Sequence, residues 1–438
     1  MSHERRTGIA ARVLGFRQQE DGAMTVLGLF IFMVSAILGG LAVDVTHLIS
    51  QRTKLQVTAD LAAHAALYVR DSESEGAARD AALQVVANSM PASEYGDVLA
   101  DADILFGFYD RDTEMFKVDN SSRSGVLVTL KRHAVNGNSI PSFLLQFIGI
   151  DTWDVTAQAV FTTFRPACLR EGFVAEGVVD MQSNNGFSNG FCIHSNTHVS
   201  LNNNNTFEAG TVVSMPDLDD LDMPNNGFEK NEGLETALRE GRMHIRVLNQ
   251  VDEIYDGLLT YGSRHMPAYI DDSRIYRPSG KKFSPSDFAP GTINYLGCNN
   301  KITLQSGTYR EIVIVATCKV SFGSGVILED VTILTTSTDA KSITSSSGLQ
   351  VGRNDNCAVG GGAQVITYGG MDFPANLNMY GGQLIALGDI NFAANANGIQ
   401  GASMIARGTI DGTSRMNMAF CGSGMENNFE ANYFRMAL

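Results

Sequence analysis

The apolar positions of the chain follow two different patterns, one helical and one typical of short strands. No charged residue occurs from Ala23 to Val43, and these residues at about 1.5 Å each make a helix of about 31 Å, which matches a hydrocarbon core of about 30 Å. Beyond Cys168, short apolar runs recur between Gly, Asn, Ser and Asp without a helical period. The pattern predicts a membrane-spanning helix followed by a large strand-rich region.

The helical pattern continues past the uncharged stretch into a stem, residues 44–70. Steps of three and four residues, the spacing of a narrow helical seam, connect Val45, Leu48, Arg52, Leu55, Ala59, Ala62 and Ala66. No Pro or Gly interrupts residues 41–70, so one helix is predicted from the membrane outward. The candidate helix-packing residues Ala59, Ala62, Ala63 and Ala66 allow close approach. They fit either the chain's own next domain or the helices of partner proteins.

Charges around the span predict its orientation. Four arginines (Arg5, Arg6, Arg12 and Arg17) precede it, whereas only Arg52 and Lys54 follow closely, so the N-terminus is predicted to be cytoplasmic. Two alternatives involve processing: a signal-peptide cleavage near Gly40 and Ala42, or a prepilin peptidase site at Gly15. An uncut span is favoured, because it exceeds a secretory apolar region of about 7–15 residues and does not begin at Gly15.

A set of short motifs follows this helix. Gly22-Ala23 opens the span, Ala42-Val43-Asp44 closes it, and Leu55-Gln56, Ala59-Asp60 and Ala62-Ala63 come next. These motifs resemble the N-terminal segment of the TadE/TadG-like family of Flp (tight-adherence) pilus assembly proteins, with a weaker likeness over residues 139–164. The resemblance implies a single-pass inner-membrane protein with its bulk in the bacterial periplasm. The D-x-S-x-S metal motif of the von Willebrand-type domain found in some relatives is absent.

All six cysteines lie beyond the span, in an even number and without a C-x-x-C pair. This argues against zinc or redox sites and favours three disulfides in an oxidising compartment. Sequential pairing is preferred among the fifteen connectivities, which joins Cys168 to Cys192, Cys298 to Cys318 and Cys357 to Cys421.

The β-rich part repeats itself at intervals of about 20 residues. The apolar runs at 312–315 and 331–334 are 19 positions apart, and Cys298 and Cys318 each precede an alternating run. Repeats of this length made of short strands favour a right-handed parallel β-helix, with a β-sandwich as the alternative. Residues 216–290 instead contain apolar positions at helical spacing and an acidic stretch from Asp217 to Asp222 that lacks the calcium-loop pattern.

The predicted fold class is therefore mixed: a long N-terminal transmembrane helix, a small α+β domain and an all-β C-terminal region with a helical insertion. The predicted parts are a cytoplasmic segment (1–22), the transmembrane helix and stem (23–70), a small pilin-like α+β domain (71–165), a β-helix-like domain (166–215 and 291–438) and a helical acidic insertion (216–290).

Function is predicted to be structural. The net charge of −15 argues against nucleic-acid binding, and no hydrolase, zinc-protease or nucleotide motif occurs in a suitable context, so no catalytic residue, metal or cofactor is expected. His194 and His198 are interpreted as surface or ladder residues because no third ligand is near. Expected partners are the inner membrane, other pilus-assembly membrane proteins through the stem, and pilin, secretin or cell-envelope components.

The alternative is a membrane-tethered β-helix that binds or cleaves polysaccharide. It would need paired carboxylates facing one groove. Asp372, Asp389 and Asp411 are the candidates whose spacing allows them to approach a single face.

Overall fold

The computed structural model describes residues 21–437 and divides them into two compact units. Unit 1 contains the residues up to Phe164 together with those from Asn432 onward, and unit 2 contains Arg165–Ala431. The predicted cytoplasmic arginines and the Gly15 site lie outside the described residues.

The helices are α1 Asp21–Ser72, α2 Glu75–Ser89, α3 Ala92–Tyr95, α4 Ala167–Arg170, α5 Gly227–Lys230, α6 Leu234–Ala237 and α7 Val251–Leu258. The first strands are β1 Ile104–Asp110, β2 Met115–Val118, β3 Gly125–Arg132, β4 Ile140–Pro141, β5 Thr152–Trp153, β6 Val155–Phe164, β7 Gly172–Ala175, β8 Val179–Met181, β9 Gly186–Phe187, β10 Cys192–Ser195, β11 Val199–Leu201, β12 Thr206–Phe207, β13 Val212–Met215 and β14 Leu238–Glu240. The remaining strands are β15 Ile275–Tyr276, β16 Lys282–Phe283, β17 Thr292–Leu296, β18 Lys301–Leu304, β19 Gly307–Ala316, β20 Lys319–Phe322, β21 Val326–Thr335, β22 Ile343–Ser345, β23 Gln350–Val351, β24 Ala363–Thr367, β25 Met371–Tyr380, β26 Gly382–Ala386, β27 Ile390–Gln400, β28 Ser403–Ala406, β29 Ile410–Gly412, β30 Asn417–Ala419 and β31 Tyr433–Met436.

Unit 1 is built on one continuous helix. The 52 residues of α1 run without a break, and α2, whose N-terminus is capped by the Ser74 hydroxyl, packs beside its second half. A five-stranded antiparallel sheet in the order β2-β1-β3-β6-β31 covers the same half. The prediction of a long N-terminal apolar helix is confirmed.

Unit 2 contains a 24-stranded sheet whose mutual pairings are parallel wherever the strand registers are described. Successive strands of one stack lie about 20 residues apart in sequence, as in the pairing of Ile293 with Val313 and of Val313 with Thr332. Long strands bend between two stacks at positions with positive φ, such as Glu311 and Asp330, both at φ 52°. The strand-rich region with a large parallel sheet is confirmed, and its parallel pairing excludes the antiparallel β-sandwich alternative.

The order of the stack differs from the order of the chain. β28 pairs with β7, although residues Ser403 and Gly172 are far apart in sequence, and β7 pairs in turn with β10 and then β13. The chain therefore enters the stack in its middle at β7, builds one end, and returns to the opposite end at β15. From β15 the chain adds one circuit (one set of strands about 20 residues long) after another, until β28 pairs with β7 of the first circuit.

Asparagine side chains support the turns of this stack. The Asn205 side-chain oxygen accepts the backbone N–H of Asn185 at 2.9 Å, and the Asn231 side-chain oxygen accepts that of Asn205 at 2.8 Å. The side chains of Asn185, Asn205 and Asn231 are almost fully buried. A buried polar ladder of this kind satisfies backbone donors that water cannot reach.

The predicted helical insertion at 216–290 is not confirmed. Its first part continues the parallel stack, because Asp222 bridges Ser200 and β14 pairs with β13. Its last part contains β15 and β16, which also join the stack. Between them the structure describes one α-helix, the eight residues of α7, with an apolar face that includes Val251, Ile254 and Leu258.

Candidate functional site

The two halves of α1 have opposite environments. From Met24 to Val43 the side chains are exposed, apart from Gly40. Among residues 21–437, one helix is long and apolar enough to span a membrane. From Asp44 onward one face is buried in the core of unit 1. The exposed apolar surface therefore matches a bilayer in length and ends where packing on the domain begins.

The small residues of the stem pack inside the chain. Ala59, Ala62, Ala63 and Ala66 are fully buried and belong to one cluster with Ala78 and Ala82 of α2 and with residues of the sheet. Alanine is required there because α2 and the sheet approach the helix closely. The structure therefore favours packing on the chain's own next domain over a contact with partner helices, because the space beside this face is filled by α2 and the sheet.

Asp44 connects the end of the exposed span to a distant loop. Its carboxylate accepts the backbone N–H groups of Phe143 at 2.8 Å, Leu144 at 2.9 Å and Leu145 at 2.6 Å. Asp44 is 2% exposed. Three charge-assisted bonds to successive N–H groups fix the start of the short 3-10 helix Leu145–Ile148 beside α1.

Two further contacts hold this loop at the same level of α1. The rings of His47 and Phe143 are 4.6 Å apart in an edge-to-face arrangement. Gly40 lies against Leu144 so closely that an added Cβ would be 3.0 Å from the Leu144 Cβ. We call residues 142–150, held by Asp44, His47 and Gly40, the junction loop. The sequence marked Asp44 as the end of the span but gave no signal of its partner, 101 residues away.

All described cysteines are paired, through Cys168–Cys192, Cys298–Cys318 and Cys357–Cys421. The Cys298–Cys318 bond joins equivalent positions of adjacent circuits, with Cα atoms 5.5 Å apart. Cys168 and Cys421 lie next to the places where the chain enters and leaves the stack. The disulfides therefore secure circuits and chain ends rather than forming a reactive centre.

The three predicted carboxylates are only partly brought together. Asp372 and Asp411 occupy equivalent positions of strands two circuits apart, with Asn391 at the same position of the strand between them. The Asp389 carboxylate instead accepts the backbone N–H of Thr409 at 2.7 Å. Asp372 is paired with Lys341 at 2.5 Å.

The neighbour of Asp411 on the other side is Asp180, which the sequence reasoning missed. Its position could not be found from spacing, because the two strands are more than 200 residues apart. Partial burial and the charge of Asp180 raise the pKa of Asp411. Adjacent parallel strands are about 4.8 Å apart, so this pair is the arrangement closest to two cooperating carboxylates.

The two histidines do not form a joint site. The ring of His194 is buried between the Ser214 hydroxyl, 2.7 Å from Nδ1, and the Asn196 side-chain oxygen, 3.0 Å from Nε2. Burial lowers the pKa of His194, which favours the neutral ring. His198 lies in the following turn rather than on the same strand. Over residues 21–437, no group of three His, Cys, Asp or Glu side chains is arranged to hold a metal.

Two family models match the chain. Residues 172–422 match a domain of unknown function (DUF7867), and residues 22–82 match the family described as "Putative Flp pilus-assembly TadE/G-like". The second match confirms the resemblance seen in the N-terminal motifs. No curated protein and no solved structure gives a significant match to the chain.

Proposed function

The chain belongs to the DUF7867 family, and we propose that it is a membrane-anchored, non-enzymatic component of Flp pilus assembly, with its folded units in the periplasm. The observation that carries this proposal is the TadE/G-like match over residues 22–82, which ends within α2. The match thus covers the exposed span, the stem and the first half of the helix packed on it.

The span supports the anchoring part of the proposal. Its exposed apolar side chains gain stability in lipid rather than in water. The arginines before it favour a cytoplasmic N-terminus, and three disulfides suit an oxidising compartment for unit 2.

Unit 2 supplies the docking surface in this proposal. Its parallel strand order suits a parallel β-helix, in which circuits stack like those of other solenoids, and we propose the right-handed form. Such a stack is rigid and presents long rows of side chains at fixed spacing, which suits a scaffold that holds pilin, secretin or cell-envelope components. The stem face at Ala62 is not part of that surface, because it is buried within unit 1.

Deletion and complementation of the gene in a pilus-forming host test the proposal. Loss of the full chain should abolish surface pili, and the full chain should restore them and remain with membranes. A version lacking residues 1–43 but given a cleavable export signal should fold and fail to restore pili. Normal pili without the gene, or full rescue by the unanchored version, would exclude the proposed role.

Polysaccharide binding or cleavage is the second candidate, and the paired Asp180 and Asp411 are the observation that favours it. The double variant Asp180→Asn/Asp411→Asn, beside Asp112→Asn on an exposed turn of unit 1, separates the two functions. A scaffold should still restore pili with either change. Loss of pili with the double variant alone, in a folded protein, would favour a carbohydrate-active site.

A further inference from the structure

The junction loop exposes an apolar surface beside the outer end of the span. Phe147 is 81% exposed, and Phe143 and Ile148 are each about half exposed. Leu144 and Ile150 add to the same surface at 43% and 38%. Within nine residues this is an unusual amount of apolar side chain for a surface that faces water only.

Contacts with α1 fix the depth of this loop. Leu144 packs against Gly40, and Phe143 packs against His47. Between these two positions of α1, the Asp44 carboxylate accepts the three successive N–H groups that begin at Phe143. Since a helix rises about 1.5 Å per residue, Gly40 lies about 6 Å closer to the centre of the span than Asp44. The loop therefore overlaps in depth with the last turn of the span.

We infer that the junction loop is a second membrane contact, whose side chains enter the interfacial layer of the same bilayer that α1 spans. This inference rests on the proposed anchoring of α1. When residues 24–43 lie in hydrocarbon, Asp44 lies at its boundary, and a loop bonded to Asp44 is placed among headgroups and the first acyl carbons. Phe and Ile side chains gain stability on transfer to that layer.

The depth of the loop favours lipid as its occupant, and its lack of charge favours apolar burial over electrostatic attraction as the cause. Residues 134–150 contain no Lys or Arg, so anionic headgroups are not required for the contact. The adjoining hairpin β4–β5 carries Trp153, the single tryptophan of the chain, opposite Ile140, but its ring nitrogen is buried and does not add to the exposed surface. Two attachment points, the span and the loop, would hold unit 1 at a fixed orientation on the membrane.

Tryptophan fluorescence of the full-length protein in phosphatidylcholine vesicles tests the inference. In a Trp153→Phe background, one tryptophan is placed in each of three variants: Phe147→Trp in the loop, Met33→Trp in the middle of the span, and Val118→Trp in β2. Val118 is exposed and lies two residues from Asn120, whose carbonyl accepts a hydrogen bond from Arg70. Arg70 is 26 residues beyond Asp44, which corresponds to about 39 Å of helix.

Lipids brominated near the headgroup should quench the Phe147→Trp variant and shift its emission to the blue. Lipids brominated deep in the chain should quench Met33→Trp, and neither should quench Val118→Trp. Replacing part of the phosphatidylcholine with anionic lipid should leave the quenching unchanged. Ile148→Trp is the second loop variant if Phe147→Trp does not fold.

The failure of the inference is distinct from failure of the anchor. If Met33→Trp is quenched and neither loop variant is, the loop contact is overturned and the span stays in place. A blue-shifted but unquenched loop tryptophan would show that protein, from a second copy or a partner, covers the patch instead. Absence of quenching at Met33 would overturn the anchor and the loop contact together.

Discussion

The Asp44 carboxylate and the backbone N–H of Leu145 are 2.6 Å apart, although 101 positions separate them in the sequence. This bond and its two neighbours join the end of the span to the junction loop of unit 1. Asp44→Ala removes both carboxylate oxygens, which accept all three N–H groups, and leaves the buried N–H of Leu145 without a partner at a cost of about 1–3 kcal/mol. We expect faster hydrogen exchange at the amides of Phe143, Leu144 and Leu145 in the detergent-solubilised protein.

Asp60→Ala is the matched control, because Asp60 lies on the same helix and accepts a hydrogen bond from the Gln56 side chain. It should leave exchange in the junction loop unchanged. Equal protection of the loop in Asp44→Ala and the unmodified protein would contradict the proposed attachment.

A second prediction concerns the fully buried Ala62. Ala62→Leu inserts three carbon atoms into a filled core, and overpacking of this kind costs about 1–3 kcal/mol. We therefore expect a lower thermal midpoint for unit 1, measured by circular dichroism. Val57→Leu, at a half-exposed position of the same helix, should leave the midpoint nearly unchanged. An unaffected midpoint for Ala62→Leu would show that this face has free space for another helix.

A third prediction follows from the buried ring of His194. Because burial lowers its pKa, the folded protein binds a proton at His194 less readily than the unfolded chain, whose histidine pKa is about 6.5. The stabilisation from the neutral ring is therefore present above that value and is lost as the pH falls below it. His194→Gln should show a smaller loss of thermal stability between pH 7.5 and pH 5.5 than the unmodified protein.

The neighbouring charge at His194 is Glu176, which binds the side-chain amide of Asn196. Glu176 is unchanged in His194→Gln, as are the other histidines, so the difference between the two pH dependences reports on His194. Parallel pH dependences would mean that its protonation is not coupled to folding.

A fourth prediction concerns the asparagine ladder. Asn205→Ala removes the acceptor of the Asn185 N–H and the donor to the Asn202 carbonyl, so we expect a loss of about 1–3 kcal/mol in the free energy of unfolding. Asn203→Ala is the control, since its amide makes a hydrogen bond to Asn226 at the surface and its loss should cost less than about 0.5 kcal/mol. Denaturant titration of both variants measures the difference, and equal losses would contradict a structural role for the ladder.

Local patterns predicted the parts of this fold that depend on nearby residues. The uncharged run before Asp44 and the unbroken stretch to Arg70 indicated α1, because helical hydrogen bonds and apolar spacing are local properties. The repeat of about 20 residues indicated parallel stacking for the same reason. The order of the circuits could not be predicted, because no pattern within either strand indicates that Ser403 pairs with Gly172.

The candidate sites show the same limit. Ala62 was recognised as a packing position, but small residues alone do not distinguish the chain's own α2 from a foreign helix. Asp411 was recognised as a candidate carboxylate, whereas Asp180 was not, because their proximity depends on that order of circuits. The stretch 216–290 was predicted to be helical from apolar positions at helical spacing. That pattern located α7, but the two ends of the stretch pair with the parallel stack through β14, β15 and β16.

The meeting of β28 with β7 makes folding depend on the direction of synthesis and export. β7 emerges early, yet one of its edges stays unpaired until residues 403–406 have followed. Contacts of such long sequence separation slow folding, and an open strand edge is prone to wrong pairing while it waits. A chain interrupted after β26 would leave the circuits from β7 to β14 separate from the circuits from β15 to β26. Unit 2 is therefore completed only when nearly all of the polypeptide has been exported.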